Sequence, residues 1–217
     1  MATRKYEQSL RAEAAEQTRR RILDAVDARL RAAPAEPVNL DTIAREARVA
    51  RPTIYAVFGS RAGLFTALAH DLLARGGFDR VRTSALHPDP IQGMRDGFTA
   101  VTDFYATHRD VLRSLFSMAA LDAEAVGGAI ATLEEGRAAG MVDLAGRLHD
   151  AGFLRPDVTP DAAVDTLWLL TSFDSFDLLH AGRGLAATEV ARRLIDITEH
   201  TLDGRDRIQP RTGLDPQ

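Results

Sequence analysis

The stretch from Asn39 to Leu64, NLDTIAREARVARPTIYAVFGSRAGL, constrains this chain more than any other part of it. Its apolar residues recur at helical spacing in two short runs. Ile43, Ala44 and Ala47 fall on one face of a first short helix, Val49 sits in a turn, and Ile54 and Val57 face back from a second helix. Ala44 is small, as a tight helix crossing requires, because a bulky side chain there would push the two axes apart. Asn39 is a good cap for the first helix, and Pro52 fits the first turn of the second. This is the spacing of a helix-turn-helix, a unit that can lay its second helix in a DNA major groove. Arg51, Thr53, Tyr55 and Ala56 are then left facing outward, a set able to touch phosphates and base edges.

A net charge of −4 argues against a polyanionic partner, but the charge is unevenly spread. Residues 1–80 hold 14 basic and 10 acidic side chains, a net of +4, and residues 81–217 hold 13 and 21, a net of −8. Attraction to phosphate depends on the local basic face more than on the molecular total. Cysteine is absent, which removes disulfides, thiol catalysis and cysteine metal sites. The first residues, MATRKYEQSLRAEAAEQ, contain no apolar signal-peptide core. No apolar run approaches the roughly 20 residues needed to cross a bilayer. A cytoplasmic protein without membrane contact is expected.

Helical patterns cover nearly the whole chain. One is predicted from about Glu7 to Ala32, ended by Pro34 and Pro37. Gly59-Ser60 breaks the second short helix, and Ser60 can cap a fourth carrying Leu64, Phe65, Leu68 and Leu72, which Gly76-Gly77 closes. Pro88-Asp89-Pro90 starts a helix to about Thr107, followed by a shorter one with Val111, Leu112 and Leu115. A long stretch from about Ala123 to Asp150 contains five glycines, so it either bends or packs very close to a neighbour. Thr159-Pro160-Asp161 opens a helix to about His180, and a last one runs from about Thr188 to Leu202. The expected fold is all-α. A helix-turn-helix head over residues 1–77, with its motif at about 39–58, precedes a larger helical domain over 88–205 and a loose tail over 206–217.

These residues resemble a known family. A leading helix with Thr18-Arg19, then Thr53-Ile54-Tyr55, Phe58, Ser60-Arg61 and Leu64-Phe65, is similar to the amino-terminal domain of the TetR family of bacterial one-component transcription regulators. The similarity is strong over about 15–75 and architectural over 88–205, where the passage Ala151-Gly152-Phe153-Leu154 to Thr159-Pro160-Asp161 looks like the family's carboxy-terminal domain. The resemblance implies a homodimer on a pseudo-palindromic double-stranded DNA operator. The larger domain would bind a small-molecule effector and dimerise through its last two long helices, and the commonest member is a repressor. Three positions depart from the family pattern. Arg48 stands where glycine is usual, at a helix end that often wants a left-handed backbone, and would cost about 1–2 kcal/mol if it adopts one. Ala50 replaces a serine cap, and Arg61 replaces lysine.

The DNA-contact set expected on this basis is Thr42, Arg48, Arg51, Pro52, Thr53, Tyr55, Ala56 and Arg61. Arg51 can read guanine in bidentate fashion, or clamp a phosphate, or stand solvated. Thr42 lies in a first turn whose free N–H groups favour phosphate, and Arg19 and Arg20 are weaker phosphate candidates. In the second domain Phe98, Tyr105, Phe116, Trp168 and Phe173 are candidates for an effector cavity, and Phe176, Leu179 and Leu194 for the dimer interface. Plain core packing competes with both readings. Trp168 and Phe176, two turns apart, would share one face of one helix, and the acids Asp174 and Asp177 would by default face water.

The six histidines are scattered with no i, i+3 or i+4 pair, so no metal site is expected. Gly182-Arg183-Gly184-Leu185-Ala186-Ala187 matches a dinucleotide-binding string, but a helix precedes it where that motif needs a strand. No nucleophile elbow or Walker loop is present. No catalytic residue and no cofactor are expected, and the alternatives are a helical protein-interaction module and an all-α enzyme.

Overall fold

The computed structural model describes the backbone of residues 2–34 and 36–205, and within it the side chains of Leu10 and of residues 12 onward. The expected tail at 206–217 lies outside the described residues. Ten helices make up the described chain: α1 (Ala2–Ala32), α2 (Leu40–Glu46), α3 (Arg51–Phe58), α4 (Arg61–Arg75), α5 (Asp79–Ala85), α6 (Pro90–Leu121), α7 (Ala123–Asp150), α8 (Pro160–Leu170), α9 (Phe173–Arg183) and α10 (Ala187–Leu202). Among the described residues the only extended pairing is an isolated bridge between Leu154 and Asp203. The all-α expectation holds.

Most boundaries sit at caps. Asn39, Ser60 and Thr159 each accept a backbone N–H of the helix they precede. The Asp89 carboxylate does the same for Ile91, at 2.9 Å. Three details differ from expectation. The short α5 was not foreseen. The expected break after Thr107 is a kink inside α6, where His108 leaves helical geometry at φ −112°, ψ 15°. The helix expected to run from Pro160 to His180 is two helices. Thr171 turns its hydroxyl back to the Leu167 carbonyl at 2.7 Å, and Ser172 caps α9 through the Ser175 N–H at 3.1 Å.

Two compact units organise these helices. The first is the chain through Gly77 together with His108–Glu135, and the second is Phe78–Thr107 together with the chain from Gly136. In the first, Ile22, Val26 and Leu30 from α1 are buried with Leu64, Phe65, Leu68 and Leu72 from α4. His108 belongs to this unit. Its Nε2 donates to the Gly76 carbonyl at 2.9 Å, and its Nδ1 accepts from Arg31 at 3.1 Å. Of the glycines in α7, Gly128 is a close-packing position, because a Cβ there would meet the Thr66 hydroxyl at 3.1 Å. Gly136, Gly140 and Gly146 face open space, so no close neighbour accounts for them. In the second unit α10 packs on α8 and α9.

Candidate nucleic-acid interface

The helix-turn-helix is built from its buried side outward. Ile43, Ala44, Ala47 and Ile54 are almost fully buried, and Val57 is half-buried. They brace α2 against α3, as the spacing predicts. The Arg21 guanidinium of α1 reaches the Ala47 carbonyl at 3.3 Å and ties the turn to the first helix. Arg48 lies in that turn at φ 55°, the only positive φ of a non-glycine residue among the described ones. The Val49 N–H closes the turn onto the Ala44 carbonyl at 2.9 Å, which requires this reversal of the chain. The expected left-handed backbone is therefore present and is occupied by arginine. Ala50 precedes α3 with no side-chain acceptor for the helix N–H groups, and Pro52 in the first turn removes one of those donors.

The outward face of α3 and its approach carries Arg48, Arg51, Pro52, Tyr55 and Ala56, all exposed, with Thr53 and Thr42 half-buried beside them. A phenol with 41% of its surface in solvent on a helix this short is available to a partner. Arg51 does not extend freely. Its Nη1 lies 3.0 and 3.3 Å from the two carboxylate oxygens of Asp41 in the first turn of α2. The Tyr55 hydroxyl, then the Asp41 carboxylate, raise the Arg51 pKa above its ordinary value. Arg61 opens α4 half-buried, with its guanidinium 5.7 Å from the Phe65 ring centre and 3.8 Å from Asp122. Arg19 stacks over Phe58 at 5.0 Å. Arg20 is engaged with Asp24 and, at 2.7 Å, with Asp71, so it joins α1 to α4. The pairing of Asp41 with Arg51 is not legible in the sequence, because no local spacing rule pairs residues ten apart across a turn.

In the second unit most of the aromatic candidates face inward. Phe98, Tyr105, Phe173 and Phe176 are buried. Tyr105 packs edge-on to Phe173 at 5.5 Å and donates its hydroxyl to the Thr171 carbonyl at 3.0 Å, while Phe176 stacks on His180 at 4.9 Å. Phe116 belongs to the first unit. Trp168 is half-buried under the Arg137 guanidinium, 3.5 Å from its ring centre. It lies on α8 and Phe176 on α9, so the expected shared helix face does not exist, because Thr171-Ser172 ends one helix and starts the next. A surface crevice of about 320 Å³ in this unit is lined by Arg80, Thr83, Ser84, His87, Asp96, Thr99 and Ala100 and by none of the aromatic candidates. Of the residues expected at a dimer interface, Phe176 and Leu194 are buried within the protomer and Leu179 is half-buried. The large apolar side chains that α8, α9 and α10 do expose are Leu169, Leu178 and Ile197. Asp174 is exposed, whereas Asp177 is buried and departs from the default for an acid. Gly184 takes the left-handed cap of α9, which makes the glycine string a helix end. No group of three or more His, Cys, Asp or Glu residues among the described ones could hold a metal ion. No helix among them is long and apolar enough to cross a membrane.

Residues 22–68 match the family model of the bacterial regulatory proteins of the tetR family. Among solved structures, the chain is similar to the ketosteroid transcriptional regulator KstR2 of Mycobacterium tuberculosis, with 18% identity, 85% of this chain and 94% of that one covered, and a TM-score of 0.63. It is similar to a putative fatty acid metabolism regulator of Clostridium perfringens, with 14% identity, coverage of 83% and 97%, and a TM-score of 0.64. It is also similar to NalD of Pseudomonas aeruginosa, the secondary repressor of the MexAB-OprM multidrug efflux pump, with 21% identity, coverage of 88% and 98%, and a TM-score of 0.62. No curated protein matches the chain. Residues 22–68 therefore carry the match to the tetR family of bacterial regulatory proteins, and the chain as a whole shares the fold of these solved structures.

Proposed function

We propose that this protein is a ligand-responsive repressor that binds a pseudo-palindromic operator as a homodimer and is released by a small hydrophobic or amphipathic effector. It acts in the cytoplasm by binding, with no catalytic step. Residues 1–77 serve as the DNA-binding domain and residues 88–205 as the effector and dimerisation domain. The observation that carries the reading is the solvent face of α3, where Arg51 and Tyr55 stand exposed over a backbone braced by buried Ile43, Ala44 and Ile54. Arg48, Pro52, Thr53 and Ala56 extend the DNA contact, and Thr42 and Arg61 take phosphates. The exposed leucines of α8 and α9 and Ile197 of α10 supply an apolar face for a second copy. Two of the similar structures are named for ketosteroid and fatty acid regulation. That is the ligand chemistry an aromatic-rich domain suits.

Selection from a random duplex pool tests the reading. The wild-type protein should enrich a palindromic sequence with half-site centres about 34–36 Å apart, or a multiple of that. Affinity should fall steeply with salt as phosphate-bound counterions are released. Arg51→Ala should lose about 1–3 kcal/mol of discrimination at one base position while thermal stability stays within about 0.5 kcal/mol of wild type. Tyr55→Ala should weaken binding with the fold and dimer intact. A helical interaction module would be indifferent to both changes, and enrichment of no sequence at moderate salt would refute the repressor.

A further inference from the structure

Arg51 is a cation at the first position of α3, where the positive end of the helix dipole disfavours it and no acid lies in the first turn. Asp41 supplies the missing charge from the preceding helix. It sits in the first turn of α2, where a carboxylate is favoured, and its own backbone N–H is held by Asn39 at 2.8 Å. Asp41 is therefore placed by its own helix, and together with the Tyr55 hydroxyl it holds the long Arg51 side chain. Its exposure is the second observation. With 63% of its side chain in solvent, it puts a negative charge beside the face that DNA would meet. A carboxylate there weakens attraction to every phosphate backbone.

We propose that Asp41 is a positioning residue that sets operator specificity by holding Arg51 for a base edge and withholding it from phosphate; this rests on the DNA-binding reading above. A guanidinium carries five donors in a rigid fork. Asp41 engages Nη1, and the donors that remain can serve guanine O6 and N7 with the ion pair intact. On a duplex without guanine in register, Arg51 must leave Asp41 to reach phosphate, and the carboxylate is stranded beside the backbone.

The test measures affinity for the duplex selected by wild-type protein and for a scrambled duplex of the same composition, at one salt concentration. It uses wild type, Asp41→Asn, Arg51→Ala and the double variant. Asp41→Asn should tighten scrambled binding by about two- to fivefold, the range an exposed ion pair supplies, and leave the selected duplex within about twofold, so the selectivity ratio falls. In the Arg51→Ala background the same change should move both duplexes by one factor, because the coupling is gone. An unchanged ratio in Asp41→Asn, in a wild type that does select, overturns this inference alone. A fall in ratio that persists without Arg51 overturns it as well, since Asp41 would then act by itself. A wild type that selects no duplex removes the DNA reading and this inference with it.

Discussion

The two units turn their distinctive residues in opposite directions. In the head, Arg48, Arg51 and Tyr55 stand in solvent, and the fold is held by aliphatic side chains beneath them. In the second unit, Phe98, Tyr105, Phe173 and Phe176 are buried, several of them ring against ring. A DNA-reading surface is made of residues the core does not need, so it can change without unfolding the protein. An effector site, if assembled from these aromatic side chains as proposed, would draw on the same residues that hold the domain together. Substitution should therefore separate stability from function in the head and entangle them in the second unit.

The largest effect that probes this contrast is loss of a ring. Phe176 is fully buried and meets Tyr105 at 5.7 Å, Phe173 at 6.4 Å and His180 at 4.9 Å. Phe176→Ala should cost about 3–5 kcal/mol in chemical denaturation, well beyond any change on the exposed face of α3. A variant that unfolds at the wild-type denaturant midpoint would break the comparison, because it would mean the ring faces space that an effector fills.

The same contrast explains what could be read from the sequence. Asn39, Pro52, Ser60 and Thr159 announce helix starts because capping is a local property of residue type and position. The outward set on α3 follows from the apolar stripe by elimination. The division between α8 and α9 was hidden, since Thr171-Ser172 interrupts an apolar run with neither glycine nor proline. The short α5 lacks a side-chain cap and is too brief to show a period. In the second unit the helical pattern marks Phe98, Phe173 and Trp168 as apolar positions and cannot say which rings meet. Asp41 escaped because its pairing with Arg51 is a tertiary contact across the turn.

A smaller effect sharpens the comparison inside the head. Arg48 holds a left-handed backbone that glycine would adopt freely. Arg48→Gly should raise stability by about 1 kcal/mol and at the same time weaken DNA binding and flatten its salt dependence, because one charge near phosphate is lost. Stability and binding moving in opposite directions would show that the head carries local strain for a surface charge. Equal binding by both proteins would make Arg48 a bystander to DNA and reduce its role to an ordinary turn residue with an unfavourable φ.

The smallest effect lies on the exposed side of the second unit, where charge acts without any site. Glu189 in the first turn of α10 accepts hydrogen bonds from Arg192 and from Arg193, which hold its pKa at about 2, well below the ordinary 4.5. A carboxylate whose pKa is depressed by folding adds stability that is fully present above its unfolded value and is lost as pH falls through its folded one. The difference in thermal midpoint between wild type and Glu189→Gln should therefore be constant near neutrality, begin to shrink below pH 4.5 and vanish toward pH 2. The two arginines are solvent-exposed and Glu189 is half-buried, so the difference should also diminish at high salt. DNA affinity at neutral pH should not change. A gap in thermal midpoint that persisted undiminished to low pH would mean the glutamine had altered helix capping or packing, and a change in DNA affinity would mean that exposed charge on α10 reaches the operator-binding function after all.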